Sequence, residues 1–139
     1  EGNRLVVLAF YRHVLERTPV TRGDDIFGVA VITSHHANVL LDAGRLAEAE
    51  AGFRDALDRM GRALPPGHIR IARTTENLAL CLQAQERYPE AEPLLLDAYA
   101  MYEAADYDAS RLVERLGAFY EAWGRPSEAA RWQARAAEA

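Results

Sequence analysis

Between Ile71 and Tyr102 the apolar positions recur with helical spacing. Ile71, Thr75, Leu78 and Leu82 fall at i, i+4, i+7 and i+11, with Ala72 and Ala79 beside them. One stripe of a 3.6-residue period predicts an amphipathic helix. After the link Gln85-Glu86-Arg87, the spacing repeats in Tyr88, Ala91, Leu95, Ala98 and Tyr102, thickened by Leu94 and Met101. So short a link leaves the two helices little choice but to pack antiparallel. Ala79, Ala91 and Ala98 supply the small side chains needed where the backbones come close. Pro89 suits a first helical turn, where its missing N–H has no partner to lose. Pro93 crowds only the carbonyl of Pro89 at the helix edge, so a mild kink is expected rather than a break.

Sliding the chain along itself by 42 residues shows that this hairpin recurs. Gly44-Arg45-Leu46-Ala47-Glu48-Ala49-Glu50 falls on Glu86-Arg87-Tyr88-Pro89-Glu90-Ala91-Glu92, and Phe53 to Leu57 falls on Leu95 to Tyr99. The same shift backwards lays Tyr11 to Arg17 under Phe53 to Arg59, and a shorter step of 38 carries the central turn to Gly124-Arg125-Pro126-Ser127-Glu128-Ala129. Leu5 to Arg17 is therefore expected to be the second helix of a repeat, although its apolar run alone also permits a strand. Thr18 to Asp25 reads as a loop with Asp24 or Asp25 as N-cap. Ile26 to Ala43 and Leu46 to Arg62 form the next pair, turned at Gly44 and stopped by Leu64-Pro65-Pro66-Gly67. Asp106 to Ala109 is a loop before Ser110 to Trp123, and Pro126 starts the last helix. The expectation is an all-α, right-handed superhelical solenoid of antiparallel helix pairs. Its seven helices would form a half repeat at 4–17 and repeats at 26–62, 69–105 and 110–138 of a single domain.

The motif Gly44-Arg45-Leu46-x-Glu48-Ala49, with its counterpart at Glu86 to Ala91, resembles the tetratricopeptide repeat. The 42-residue period and Glu76-Asn77-Leu78-Ala79 look more like the kinesin-light-chain type. The central block is also similar to repeats that follow the kinase domain in bacterial serine/threonine kinases, and to repeats in bacterial multidomain regulators. The resemblance covers residues 5 to 138 and is strongest over 30 to 105. It weakens where Pro126 replaces Leu46 and Tyr88, and where Gln133 replaces Phe53 and Leu95. What it implies is scaffolding or regulation through protein contacts, and fold by itself does not fix function.

Composition narrows the partners. The chain has 139 residues, a formal net charge of −5, 50% hydrophobic and 27% charged residues. A concentrated basic surface, needed for phosphate backbones, is not expected from that balance, so nucleic acid is set aside. All sixteen basic residues are arginine, which with the abundance of alanine points to a GC-rich bacterial genome. Cys81 is a single cysteine and cannot form an internal disulfide. No apolar run approaches a membrane span. The chain opens without methionine and is expected to be a piece of a larger, cytoplasmic protein.

In stacked helix pairs the first helices make the inner wall. Helical spacing places Val31, Ser34, His35, Asn38 and Asp42 there in one repeat, and Arg73, Glu76, Asn77, Leu80 and Gln83 in the next. Arg111, Glu114, Arg115 and Ala118 follow in the last. Arg73, Asn77 and Leu80 share a face, and Arg111, Arg115 and Ala118 repeat that geometry. Asn38 and Asn77 can each donate to and accept from the backbone of an extended peptide, and the arginines can fork onto a carboxylate or phosphate. The resemblance implies that Asn77, Arg73 and Arg111 sit where kinesin-light-chain-type repeats hold cargo peptides. The candidate groove is thus Ser34, His35, Asn38, Arg73, Asn77, Leu80, Arg111 and Arg115. The other reading is a solvated wall, with Glu76 and Glu114 pairing with the arginines at the surface.

No residue set argues for catalysis, a metal or a cofactor. His35 and His36 diverge by about 100° on a helix and cannot chelate one ion. His36 should pack half-buried, His68 should cap its loop, and His13 should lie on a helix surface. Cys81 reads as a small packing residue, and Trp123 and Trp132 as core and end-of-stack packing. Two alternatives to peptide binding stay open: self-association through apolar edges at the terminal repeats, and a non-catalytic scaffold within an enzyme such as a kinase.

Overall fold

The computed structural model describes residues 2–17 and 23–138, and these form seven helices joined by short turns. They are α1 (Gly2–Arg17), α2 (Gly23–Asp42), α3 (Leu46–Ala63), α4 (Ile69–Ala84), α5 (Tyr88–Ala104), α6 (Ser110–Ala122) and α7 (Pro126–Ala137). Antiparallel pairs α2–α3, α4–α5 and α6–α7 stack in order, through α3 on α4 and α5 on α6, while α1 lies against α2. The result is an all-α solenoid. Leu5 to Tyr11 is helical, as the register requires.

The turns explain why the pairs close so tightly. At Gly44, Glu86 and Gly124 the chain takes positive φ angles of 79°, 59° and 75°. After each, the next N–H reaches back to close the helix end: Arg45 to the Leu40 carbonyl, Arg87 to Leu82 and Arg125 to Tyr120. This left-handed closure satisfies carbonyls that a helix C-terminus would otherwise leave bare. Asp106, at φ 52°, ends α5 the same way, with Tyr107 N–H on the Tyr102 carbonyl. His68 opens α4, accepting the Arg70 N–H at 3.1 Å through Nδ1. The helix α5 runs unbroken through Pro93. In contrast, α2 starts at Gly23, so Asp24 and Asp25 lie inside its first turn rather than ahead of it. The loop expected at 18–22 lies outside the described residues.

Small residues set the spacing within pairs. Ala37, Ala49, Ala56, Ala79, Ala91 and Ala98 have no exposed surface. A Cβ built on Gly52 would stand 2.9 Å from the Ala37 Cβ, closer than two side chains tolerate. Around these contacts Phe53, Leu82, Leu95, Leu116 and Phe119 are sealed in one core.

Polar ties then join one pair to the next. The Glu50 carboxylate accepts from Gln85 at 3.2 Å and from Arg87 at 2.6 Å. Burial works to raise its pKa, but the bonds from Gln85, Arg87 and Arg54 outweigh it and hold the group below the ordinary carboxylate value. Tyr120 donates to Glu92 at 2.8 Å, and Tyr88 stacks on Trp123 at 5.9 Å. Trp132 meets Tyr99 edge-on at 5.0 Å. Both tryptophans are thus packing residues.

Because Ala91 is fully buried in the core, Ala91→Leu is expected to lower stability by about 1–3 kcal/mol through overpacking. Urea denaturation checks this, and an unchanged midpoint would show that the pair spacing is not set at Ala91.

Candidate functional site

The first helices α2, α4 and α6 share one wall, and two adjoining hollows open along it. The larger, about 500 Å³, lies between α4 and α6, bounded by Arg73, Asn77, Arg111 and Arg115 with Tyr102, Tyr107 and Asp108. The smaller, about 210 Å³, lies between α2 and α4 and is bounded by Ser34, His35 and Asn38 with Arg70, Arg73 and Asn77. Arg73 and Asn77 belong to both, so the two make a continuous trough.

The floor of the larger hollow is a polar cluster drawn from three helices. Glu76 on α4 is 6% exposed. Its Oε2 accepts the Tyr102 hydroxyl of α5 at 2.8 Å, and its Oε1 accepts from Arg115 of α6. The surface pairing expected of Glu76 is therefore replaced by a buried one. Its spacing on α4 shows a wall position, while Tyr102 arrives from a helix 26 residues on and covers it. Burial first, and then the bond to Glu76, push the Tyr102 pKa well above the ordinary value of 10.0. Burial and Glu92 do the same to Tyr120.

Above this floor Tyr107 is 44% exposed and stacks on Tyr102 with ring centroids 5.6 Å apart. Arg73 lies over the Tyr107 ring at 5.4 Å and donates to its hydroxyl. Arg111 is exposed on the same rim. Asp108 accepts the Ser110 N–H at 3.0 Å, and its bonds from the Ser110 hydroxyl and backbone lower its pKa. That carboxylate faces the start of α6, where the helix dipole also favours it.

Arg73, Asn77, Arg111 and Arg115 thus converge on the larger hollow, and His35 and Asn38 join Arg73 and Asn77 in the smaller. Ser34 borders the latter but is only 6% exposed. Leu80 is half-buried and bounds neither hollow. Glu114 and Ala118 line a separate cleft between α6 and α7, beside Gln133. Tyr102, Tyr107 and Arg70 are additions that sequence spacing missed. Tyr102 reads as core by its ring, and its polar tip gives the only hint that it reaches the wall.

Other chemistry is sparse. His36 is half-buried against the Tyr11 ring at 5.9 Å, and desolvation, followed by Arg12, lowers its pKa. Cys81 is buried, its Sγ donating to the Leu46 carbonyl at 3.2 Å, and burial raises its pKa. A thiol held this way is a poor nucleophile. Among the described residues no three His, Cys, Asp or Glu side chains gather as metal ligands. No described helix is long and apolar enough to cross a membrane.

The family model of the tetratricopeptide repeat matches residues 28–104, more than half of the chain. Among solved structures, the crystal structure of BtubC (BKLC) from P. vanneervenii superposes with a TM-score of 0.84 at 20% identity. The match covers 97% of this chain and 55% of that one, so the chain spans about half of that neighbour. No curated protein matches.

The buried cluster predicts a particular alkaline response. A tyrosine whose pKa is raised by folding contributes stability that is complete below its unfolded pKa and is lost as pH climbs past it. Tyr102→Phe should cost about 1–3 kcal/mol at neutral pH, because Glu76 loses a buried donor. Above pH 10.0, the ordinary tyrosine value, the native protein should lose stability more steeply than the variant. Denaturation at several pH values reads both effects, and parallel slopes would contradict the burial of that hydroxyl.

Proposed function

Because this chain belongs to the tetratricopeptide repeat family, whose repeats serve as protein-interaction modules, we propose that its trough holds an extended, acidic segment of another polypeptide. The observation that carries this reading is where the arginines lack carboxylates. On second helices and turns, Arg45, Arg54, Arg59, Arg62, Arg87 and Arg125 each sit within ion-pair distance of Asp or Glu, while Arg135 of α7 is placed instead on the Tyr99 and Trp132 rings. On first helices, Arg70, Arg73 and Arg111 have no such partner among the described residues. Glu76 is spent on Arg115, and Asp108 on the start of α6. Positive charge is therefore left over on the trough of a chain whose net charge is −5. Guanidinium groups suit carboxylates by forked hydrogen bonding. Asn38 and Asn77, both on the smaller hollow, suit the backbone of an extended chain.

The regulatory setting, within a larger bacterial signalling protein, is supported by the likeness of the central hairpin to repeats found beside kinase domains. Its chemistry is recognition rather than reaction.

The test uses two labelled peptides, one of alternating Glu and Ser and the other with Gln for Glu, followed by fluorescence anisotropy. The acidic peptide is expected to bind, more weakly as salt rises, and the Gln peptide at least tenfold worse. Arg73→Ala combined with Asn77→Ala should remove most of that binding while leaving the melting temperature nearly unchanged. Equal binding of the two peptides, or of native and variant protein, would contradict the assignment.

A further inference from the structure

The trough does not carry its positive charge evenly. Arg70, on the smaller hollow, lies against the Phe27 ring of α2 at 5.4 Å, where an aromatic face already answers part of its charge. The larger hollow is bordered by the guanidiniums of Arg73, Arg111 and Arg115 and by the carboxylates of Glu76 and Asp108. Arg115 and Glu76 neutralise each other in the floor, and the second Glu76 oxygen is taken by Tyr102. Asp108 accepts from the backbone and the hydroxyl of Ser110, at 3.0 and 2.5 Å. Arg73 and Arg111 remain, both exposed and both on this hollow, with no carboxylate partner among the described residues.

Tyr107 adds a third donor. Its hydroxyl accepts from Arg73, which uses one of that guanidinium's N–H groups and leaves the phenolic hydrogen free to donate. A carboxylate matches this set poorly. It brings one charge and two oxygens, and a forked bond to one arginine fills both. The other guanidinium then stays unanswered. A phosphate monoester carries a charge of about −1.5 to −2 at neutral pH and three acceptor oxygens. Arg73, Arg111 and Tyr107 can each take one of those oxygens.

Resting on the reading of the trough as a face for an extended polypeptide, we infer that its larger hollow receives a phosphorylated serine or threonine of the bound segment. The segment's backbone is placed by Asn77, which borders both hollows and stands one helical turn from Arg73 on α4. With the two arginines on the rim beside that backbone partner, a phosphate on a short side chain reaches them directly. A phosphorylated tyrosine would carry its phosphate inward, against the Glu76 carboxylate of the floor. A nucleic-acid strand fits less well again. Its phosphodiesters bring one charge each, and its flanking phosphates meet a chain of net charge −5.

The test compares three labelled peptides of the alternating Glu and Ser sequence: unmodified, with the central serine phosphorylated, and with that serine replaced by glutamate. Fluorescence anisotropy is expected to show the phosphorylated peptide binding about tenfold more tightly than its glutamate counterpart, through the added charged hydrogen bonds. Arg111→Ala, at an exposed position, should bring these two to nearly equal affinity with unchanged helical circular dichroism. Tyr107→Phe should narrow the gap in the same direction. Free phosphoserine and a single-stranded oligonucleotide should displace the phosphorylated peptide only at far higher concentration. Phosphorylated and glutamate peptides that bind alike, or a preference that survives Arg111→Ala, would overturn the phosphate site and leave the acidic-segment reading standing. Free phosphoserine or the oligonucleotide competing as well as the peptide would also overturn it, in favour of a small-anion or nucleic-acid site. Failure of all three peptides to bind would instead remove the trough reading itself, and the phosphate site with it.

Discussion

Two helices joined by a tight turn can pack along their length only if small side chains meet at the crossing. Here that condition is met by Ala37 against Gly52, with Ala49, Ala56, Ala79, Ala91 and Ala98 fully buried. Dispersion and apolar burial reward the close approach, because each pair then closes on its larger side chains. With pair spacing fixed, successive pairs stack through α3 on α4 and α5 on α6. The first helices consequently fall side by side, and the trough is a product of this packing rather than a separately built pocket.

Stacking alone would let neighbouring pairs slide, and polar ties resist that. Glu50 binds the turn of the following hairpin through Gln85 and Arg87. Glu76 collects Tyr102 and Arg115 from the two helices after it. A buried carboxylate with both oxygens engaged is costly to disturb, since freeing one partner leaves charge without compensation. The tie at Glu76 also divides the arginines of the wall. Arg115 is held in the floor, whereas Arg73 and Arg111 stay on the rim.

Much of this could be read from sequence, because the period of 42 residues reports tertiary packing as well as helix. The stripes through Leu78 and Leu95, the turn at Gly44 and the start at Pro126 all reflect local rules that the fold obeys. Asn38, Asn77, Arg73 and Arg111 were legible as wall residues for the same reason, through helical spacing. Leu80 bounds neither hollow, and Ser34 borders the smaller one while being almost covered. Spacing locates a residue on its own helix, whereas the neighbouring helix decides how much of that residue stays open. The role of Glu76 was hidden for a related reason. Its partners come from α5 and α6, and no pattern within α4 announces them. The start of α2 at Gly23 shows how a string of polar residues can read as loop and still enter a helix.

The central claim is that the wall made by first helices, rather than the outer surface, is the face that meets a partner. Amide chemical-shift mapping with the Glu–Ser peptide tests it most directly. The account predicts shifts concentrated at residues 34–38, 70–77 and 107–115. Shifts confined to the outer faces of α3, α5 and α7 would contradict it.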